Sequence, residues 1–265
     1  MRHALLITVA VLSFSSSALA ADLPNTKGPP VFAPPPPVFT WTGFYVGGQV
    51  GYEWGRTVGD LYTDPGVYVE HLPGYDPAGV VGGLHAGYNY QISQFVVGIE
   101  GDVEGSSYDG SGADPAGAFP FTAYTTRIPV QGSIRGRVGF AWDRVLFYAT
   151  GGAEFADIQN TYTTPGLVPV GFFAAAPPAI PPGYDSFSLG RVGWTVGGGV
   201  EYAFDPNWTI RAEYRYTDFG TFDEYLVKTY PGDYVHLHVY DNAVRVGFSY
   251  KFDMFAPPAP VVAKY

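Results

Sequence analysis

The chain has 265 residues, among them 35 glycines, 21 tyrosines and 19 phenylalanines but no cysteine, and it carries a formal net charge of −10. Without cysteine there is no disulfide framework, no thiolate metal site and no thiol nucleophile, and an acidic balance without basic stripes argues against nucleic acid as a partner. Glycine and aromatics at this density disfavour helices and suit short strands joined by many turns.

The first twenty residues read as a secretory signal. Arg2 supplies the positive start, Ala4 to Leu12 a short apolar run, and Ala18-Leu19-Ala20 a small-x-small cleavage site. No later stretch approaches the roughly 18 uninterrupted apolar residues of a spanning helix, so any membrane span must consist of strands. Residues 21–40, with Pro34 to Pro37 and Gly28-Pro29, read as an extended periplasmic linker.

From Trp41 the pattern becomes one of alternation, and eight segments carry it: Phe44–Trp54, Val80–Gln91, Phe95–Glu104, Ile128–Ala141, Val145–Phe155, Leu189–Phe204, Trp208–Tyr216 and Asn242–Phe252. The seventh shows it most clearly. Trp208, Ile210, Ala212, Tyr214 and Tyr216 fall on one face, and Thr209, Arg211, Glu213 and Arg215 on the other. A soluble sheet would bury the apolar face. A membrane barrel turns it to lipid and fills its interior with the charged face.

The connections separate these readings. Three are tight turns, and four are long: Gly55 to Gly79, Gly105 to Arg127, Ala156 to Ser188, and Asp218 to Asp241. Strict alternation of short and long connections, an even strand count and segments near the 9–11 residues of a spanning strand predict an eight-stranded antiparallel transmembrane β-barrel with short periplasmic turns and four long extracellular loops. Phe44, Tyr90, Phe95, Phe140, Phe147, Phe204, Trp208 and Phe252 lie beside the tight turns and predict an aromatic girdle there.

The inward positions carry seven basic and seven acidic residues, so paired charges filling a narrow lumen are expected rather than a charged channel. Counting up from the girdle puts Glu100 level with Arg135, Glu201 level with Arg211, and Arg245 near Arg215 and Glu53; Glu213 joins this set. Glu100, Asp102 and Glu104 share a strand face, but no substrate could readily enter to meet them, and no catalytic residue is expected. His71, His236 and His238 lie in the long connections with no catalytic spacing, and His236-Leu237-His238 puts two imidazoles on one face. They are read as surface histidines; no metal site and no cofactor are expected. The Gly197-Gly198-Gly199 run lies mid-strand, where it thins the wall or permits curvature. The four long connections hold thirteen acids against three basic residues, a field that would attract cations or basic host molecules.

Several stretches resemble a known family. Trp41-Thr42-Gly43-Phe44-Tyr45-Val46-Gly47-Gly48, Val145 to Gly152, Glu213 to Gly220 and Val244 to Phe252 are similar to the porin-like outer-membrane β-barrel surface proteins of alphaproteobacteria, related to the OmpA transmembrane domain and RopB. The resemblance covers Trp41 to Phe252 and implies a structural outer-membrane surface protein. It carries no catalytic residues. Outer-membrane lipid and lipopolysaccharide would be its surroundings and the barrel-assembly machinery its partner. Phe248, Tyr250 and Phe252 match the family's assembly signal, although here a tail, Asp253 to Tyr265, follows, so that either the signal is read internally or Tyr265 takes its place. A small diffusion porin and a surface binding or adhesion module are the alternatives.

Overall fold

A computed structural model describes residues 39–114, 122–166 and 182–252; the secretory signal, most of the linker and the C-terminal tail lie outside this range. The elements are β1 (Gly43–Thr63), β2 (Val67–Tyr75), β3 (Ala78–Ile92), β4 (Phe95–Asp114), β5 (Thr122–Trp142), β6 (Val145–Thr164), β7 (Gly183–Ala203), β8 (Trp208–Leu226) and β9 (Asp233–Phe252). Every pairing is antiparallel, β1 takes β3 along its first half, and β9 returns to pair with β1 from Phe44↔Phe252 to Thr63↔Asp233. The sheet therefore closes into a barrel.

The tight turns lie where the sequence puts them. Ser93 and Asp143, the first residues of two of them, take positive φ of 57° and 52°, which matches the twist of a two-residue hairpin. Outward positions of the half of the barrel next to these turns are apolar throughout, as Phe44, Val46, Val50, Tyr52 and Trp54 show on β1. From Phe44 to Trp54 the belt rises about 25 Å at usual strand rise and tilt, the height of a lipid-facing band. The expected girdle is present at its lower edge, with Phe44 against Phe252 and Phe95 against Phe140. Trp54, Tyr240, Tyr216 and Trp194, on β1, β9, β8 and β7, form an aromatic arc at the upper edge on one side of the barrel.

The main departure from the sequence reading lies above this belt. Most strands run to about twice the length a bilayer needs, because much of what reads as loop continues as strand. β2 and β3 are two pieces of one strand, interrupted at Asp76-Pro77, whose Pro77 carbonyl accepts the Gly55 amide at 2.9 Å. At the same level β4 is irregular between Gly105 and Tyr108, β5 between Arg127 and Gln131, and β8 between Asp218 and Thr221. Bulges bend strands and alter their pairing.

Above that ring of irregularities the barrel divides. β7 and β8 pair only up to Trp194↔Asp218, and β2 pairs with β1 but not with β4. Two four-stranded sheets result, β2-β1-β9-β8 and β4-β5-β6-β7, facing each other across an apolar core. Leu61, Phe222, Leu226, Val235 and Leu237 come from the first sheet, and Tyr108, Tyr124, Ile128, Ile158 and Tyr162 from the second. Side chains close the seams. Tyr75 shares a 2.6 Å hydrogen bond with Thr126, Arg191 stacks 3.9 Å from the Phe222 ring, and the Asp185 carboxylate accepts the amides of Lys228 and Thr229.

At the opposite end, Phe39 and Trp41 pack under the mouth with Val96, Ala141, Leu146 and Ala203. Phe39, which composition places at the end of the linker, packs against this cluster. Trp41 is fastened by its amide to Gln91 at 2.7 Å and by its indole to the Asp143 carbonyl at 3.3 Å.

Asp185→Ala removes the acceptor for two seam amides and is expected to cost about 1–3 kcal/mol locally. The refolded variant should be cut by trypsin after Lys228 well before the wild type, while its heat-modifiable mobility stays normal; equal cleavage rates would mean that the seam does not depend on Asp185.

Candidate functional site

Inside the belt, inward positions carry Arg135, Arg137, Arg211, Arg215 and Arg245 against Glu100, Asp102, Glu104, Glu154, Glu201 and Glu213, all buried. A buried charge is tolerable only if paired and hydrogen-bonded. Arg135 meets this with its whole guanidinium: Glu100 at 2.6 Å, Asp102 at 3.1 Å, Glu213 at 2.8 Å, Thr150 at 2.9 Å and Ser133 at 3.0 Å. Arg245 grips Glu104 with two nitrogens, at 3.0 and 2.8 Å, the bidentate geometry in which guanidinium and carboxylate bind best.

Several pairs cross the lumen. Arg211 on β8 reaches Glu100 on β4, the opposite wall, at 2.6 Å, and Arg137 on β5 pairs with Glu201 on β7. Tyr45 donates to Glu100 at 2.7 Å and accepts from Arg137 at 3.2 Å. Glycines make the room. A Cβ on Gly199 would sit 2.7 Å from the Tyr148 hydroxyl, which donates to Glu213 at 3.0 Å, so the triple-glycine run clears space in the lumen rather than merely thinning the wall.

Of the pairs read from the sequence, Glu100–Arg135 is formed. Glu201 does stand beside Arg211 in register, yet their charges go elsewhere, Glu201 to Arg137 and Arg211 to Glu100. Arg245 binds Glu104, while Glu53 accepts from Ser106 and from Gln131, the latter at 2.9 Å. Arg215 is held by Asp102 and Glu213, both at 3.1 Å. The neutral members Tyr45, Gln49, Gln131, Ser133, Tyr148 and Thr150 escaped the sequence reading, although all occupy inward positions of the same alternation.

The acid count also changes. Asp185, Glu224 and Asp241, assigned to solvated loops by the sequence, are buried. The interior is therefore not balanced, and the excess acid gathers at the upper end. Burial in the two-sheet core pushes the Glu224 carboxyl above its ordinary value, against hydrogen bonds from Asn160 and Tyr162 at 2.9 Å each. Burial acts on Asp185 in the same direction, but hydrogen bonds from Thr229 and Lys228 outweigh it and hold that carboxyl low.

His71, His236 and His238 sit on the outer wall, above the belt, whereas His85 is buried in the lumen with its Nε2 2.8 Å from the Ser249 hydroxyl. His71 meets Asp60 at 2.8 Å, His236 meets Asp223 at 2.5 Å and His238 meets Asp218 at 3.0 Å. Among the described residues no group of three or more such side chains is placed to hold a metal ion. Phe248 and Phe252 face outward on the belt, and Phe252 lies 5.6 Å from Phe44 across the closing seam. The tail that follows lies outside the described residues.

A model of the outer membrane protein beta-barrel domain matches residues 6–252. The chain belongs to that family. It is an outer-membrane barrel, similar to the 31 kDa outer-membrane immunogenic protein of Brucella melitensis, with 32% identity over 95% of this chain and 100% of the relative. The 22 kDa outer membrane protein of Rhizobium leguminosarum is 31% identical, covering 83% of this chain and 82% of that one. Among solved structures, OprG of Pseudomonas aeruginosa shares 12% identity at a TM-score of 0.49, covering 80% of this chain and 96% of that one.

Two measurements test the barrel's interior. In a double-mutant cycle of urea unfolding in lipid vesicles, Glu201→Ala should cost about 3–5 kcal/mol and couple strongly to Arg137→Ala. It should couple only weakly to Arg211→Ala, and the reverse ranking would refute the crossed pairing. Glu224 provides the second test. Its folded pKa is raised, so its contribution is intact below the ordinary carboxylate pKa near 4.5 and is lost as pH rises through the folded value. Amide exchange in the upper sandwich should quicken on going from pH 4 to 7 beyond the intrinsic rate increase, and Glu224→Gln should flatten that change; an unchanged slope would remove Glu224 as its source.

Proposed function

We propose that the protein is a non-conducting, structural component of the outer membrane that contributes to envelope integrity and holds a rigid two-sheet platform above the lipid. The observation that carries this is the blocked lumen. Arginine–carboxylate pairs join opposite walls at mid-height, Phe39 and Trp41 fill the lower mouth, and the apolar core fills the space above. An ion would have to break buried arginine–carboxylate pairs, which is costly. This disfavours the diffusion-porin alternative. No catalytic step is assigned, because Glu100, Asp102 and Glu104 are each engaged by arginine.

The orientation proposed with this function puts the tight turns in the periplasm and the platform outside the cell. The lipid-facing placement of Phe248, Tyr250 and Phe252 supports their reading as the signal for the assembly machinery.

Planar-bilayer recording of the refolded chain should show no stepwise conductance in molar salt. Simultaneous replacement of Arg135 and Arg211 by Ala should open small, flickering currents if the network is what blocks the path. Stable channels from the wild type would overturn the structural reading in favour of a porin.

A further inference from the structure

The two sheets of the platform present different outer faces. On β4-β5-β6-β7 the outward side chains above the belt include the small Ser111, Ala123, Thr161, Thr163 and Ser188, the exposed ion pair of Arg127 with Asp109 and, among the described residues, a single exposed tyrosine, Tyr184. On β2-β1-β9-β8 they form two ladders running across all four strands. Tyr68, Tyr62, Tyr234 and Tyr225 stand in successive register, with Tyr62 and Tyr234 stacked at 5.3 Å and 11°, Tyr234 and Tyr225 at 5.2 Å, and Tyr68 edge-on to Tyr62 at 5.7 Å. One step below runs His71, Asp60, His236 and Asp223, with Asp60 opposite both histidines in the sheet.

We propose that this face binds the sugars of a glycolipid lying in the same outer leaflet as the barrel. Three observations lead to that occupant. The rings make an apolar ladder across four strands whose end members are the most accessible, Tyr68 at 55% and Tyr225 at 61% exposed. A pyranose offers such a row of rings its C–H face. The ladder below supplies both acceptors and donors, carboxylates alternating with imidazoles, which suits vicinal hydroxyl groups. The ladder itself has no arginine or lysine, and Arg56, two outward positions lower on β1, is turned to Asp76 at 3.4 Å, so the ladder does not suit phosphate.

Position decides the source. The face is a side wall and not a loop tip, and it is continuous with the lipid-facing belt of the same strands through Trp54, Tyr216 and Tyr240. Asp60 and Tyr62 stand six and eight residues beyond Trp54 on β1, about 15 and 20 Å above the belt's upper edge at usual rise and tilt. A lipid alongside would reach that height with its outer sugars and not with its innermost ones. The inference rests on the outer-membrane placement of the barrel and on the proposed orientation with the platform outside the cell, but not on its being closed to ions; a conducting barrel could still hold the sugar.

The test uses the full chain folded in detergent, immobilised and exposed to two lipopolysaccharides. One carries a complete core oligosaccharide and the other is truncated after the sugars next to the lipid. The wild type should retain the complete form about tenfold better. Tyr62→Ala with Tyr234→Ala should abolish that preference, while Thr161→Ala with Ser188→Ala on the opposite sheet should leave it intact. Equal retention of the two forms by the wild type, or a preference that survives loss of both tyrosines, would overturn the proposal. Free core oligosaccharide bound as well as the intact glycolipid would overturn the lateral source and indicate a receptor for soluble glycan. Should the tyrosine variant lose heat-modifiable mobility, Asp60→Asn with Asp223→Asn, isosteric and on the exposed ladder, decides by the same criterion.

Discussion

A backbone amide or carbonyl in hydrocarbon has no water to bond, so a sheet that crosses a bilayer must have no edge. Everything in the lower half of this molecule follows from that closure. The pairing of β9 with β1 removes the last edge, and with eight strands it leaves a lumen narrow enough for side chains to span. Inward residues therefore meet one another rather than water. The alternation that puts valines and aromatics on lipid puts arginine and glutamate inside, and burial in a narrow interior favours their mutual pairing. Arg135 illustrates the outcome, with its guanidinium shared among three carboxylates on two strands.

Above the belt the constraint is lifted, and the architecture changes at that level. Water can satisfy an open strand edge, so the seams between β7 and β8 and between β2 and β4 become tolerable. Solvent polarity also reverses on the outside. Outward positions that hold Val244 and Val246 within the belt hold His238 and His236 above it, while the inward positions pass from Arg245 to Val239, Leu237 and Val235. The strand keeps its parity and exchanges its chemistry. One strand thus builds a membrane barrel at one end and half of a soluble sandwich at the other.

That exchange separates the surfaces on which the proposed function rests. The lumen is filled with paired charge, and packed side chains lie above and below it. The platform is built on strands continuous with the membrane span, so the barrel sets the height of its side faces. A recognition face on such a wall differs from one on a loop, because its rings need no ordering before a partner arrives.

The sequence by itself determined the strand alternation, the tight turns, the lower aromatic girdle and the closure in eight strands around a charged interior, because each depends on periodicity two and on local turn chemistry. It also showed which charges face inward, and neighbouring register was enough to find Glu100 with Arg135. It could not say that Glu201 would leave its register neighbour Arg211 for Arg137, because long side chains in a narrow lumen choose partners across the space and not along the sheet. Nor could it place Asp185, Glu224 and Asp241 indoors. The connections containing them were read as loops once the apolar outward face ended, yet the strands went on with their chemistry inverted. Only the tertiary structure decided that, because what lies outside a strand, lipid or water, is settled by its height in the folded barrel.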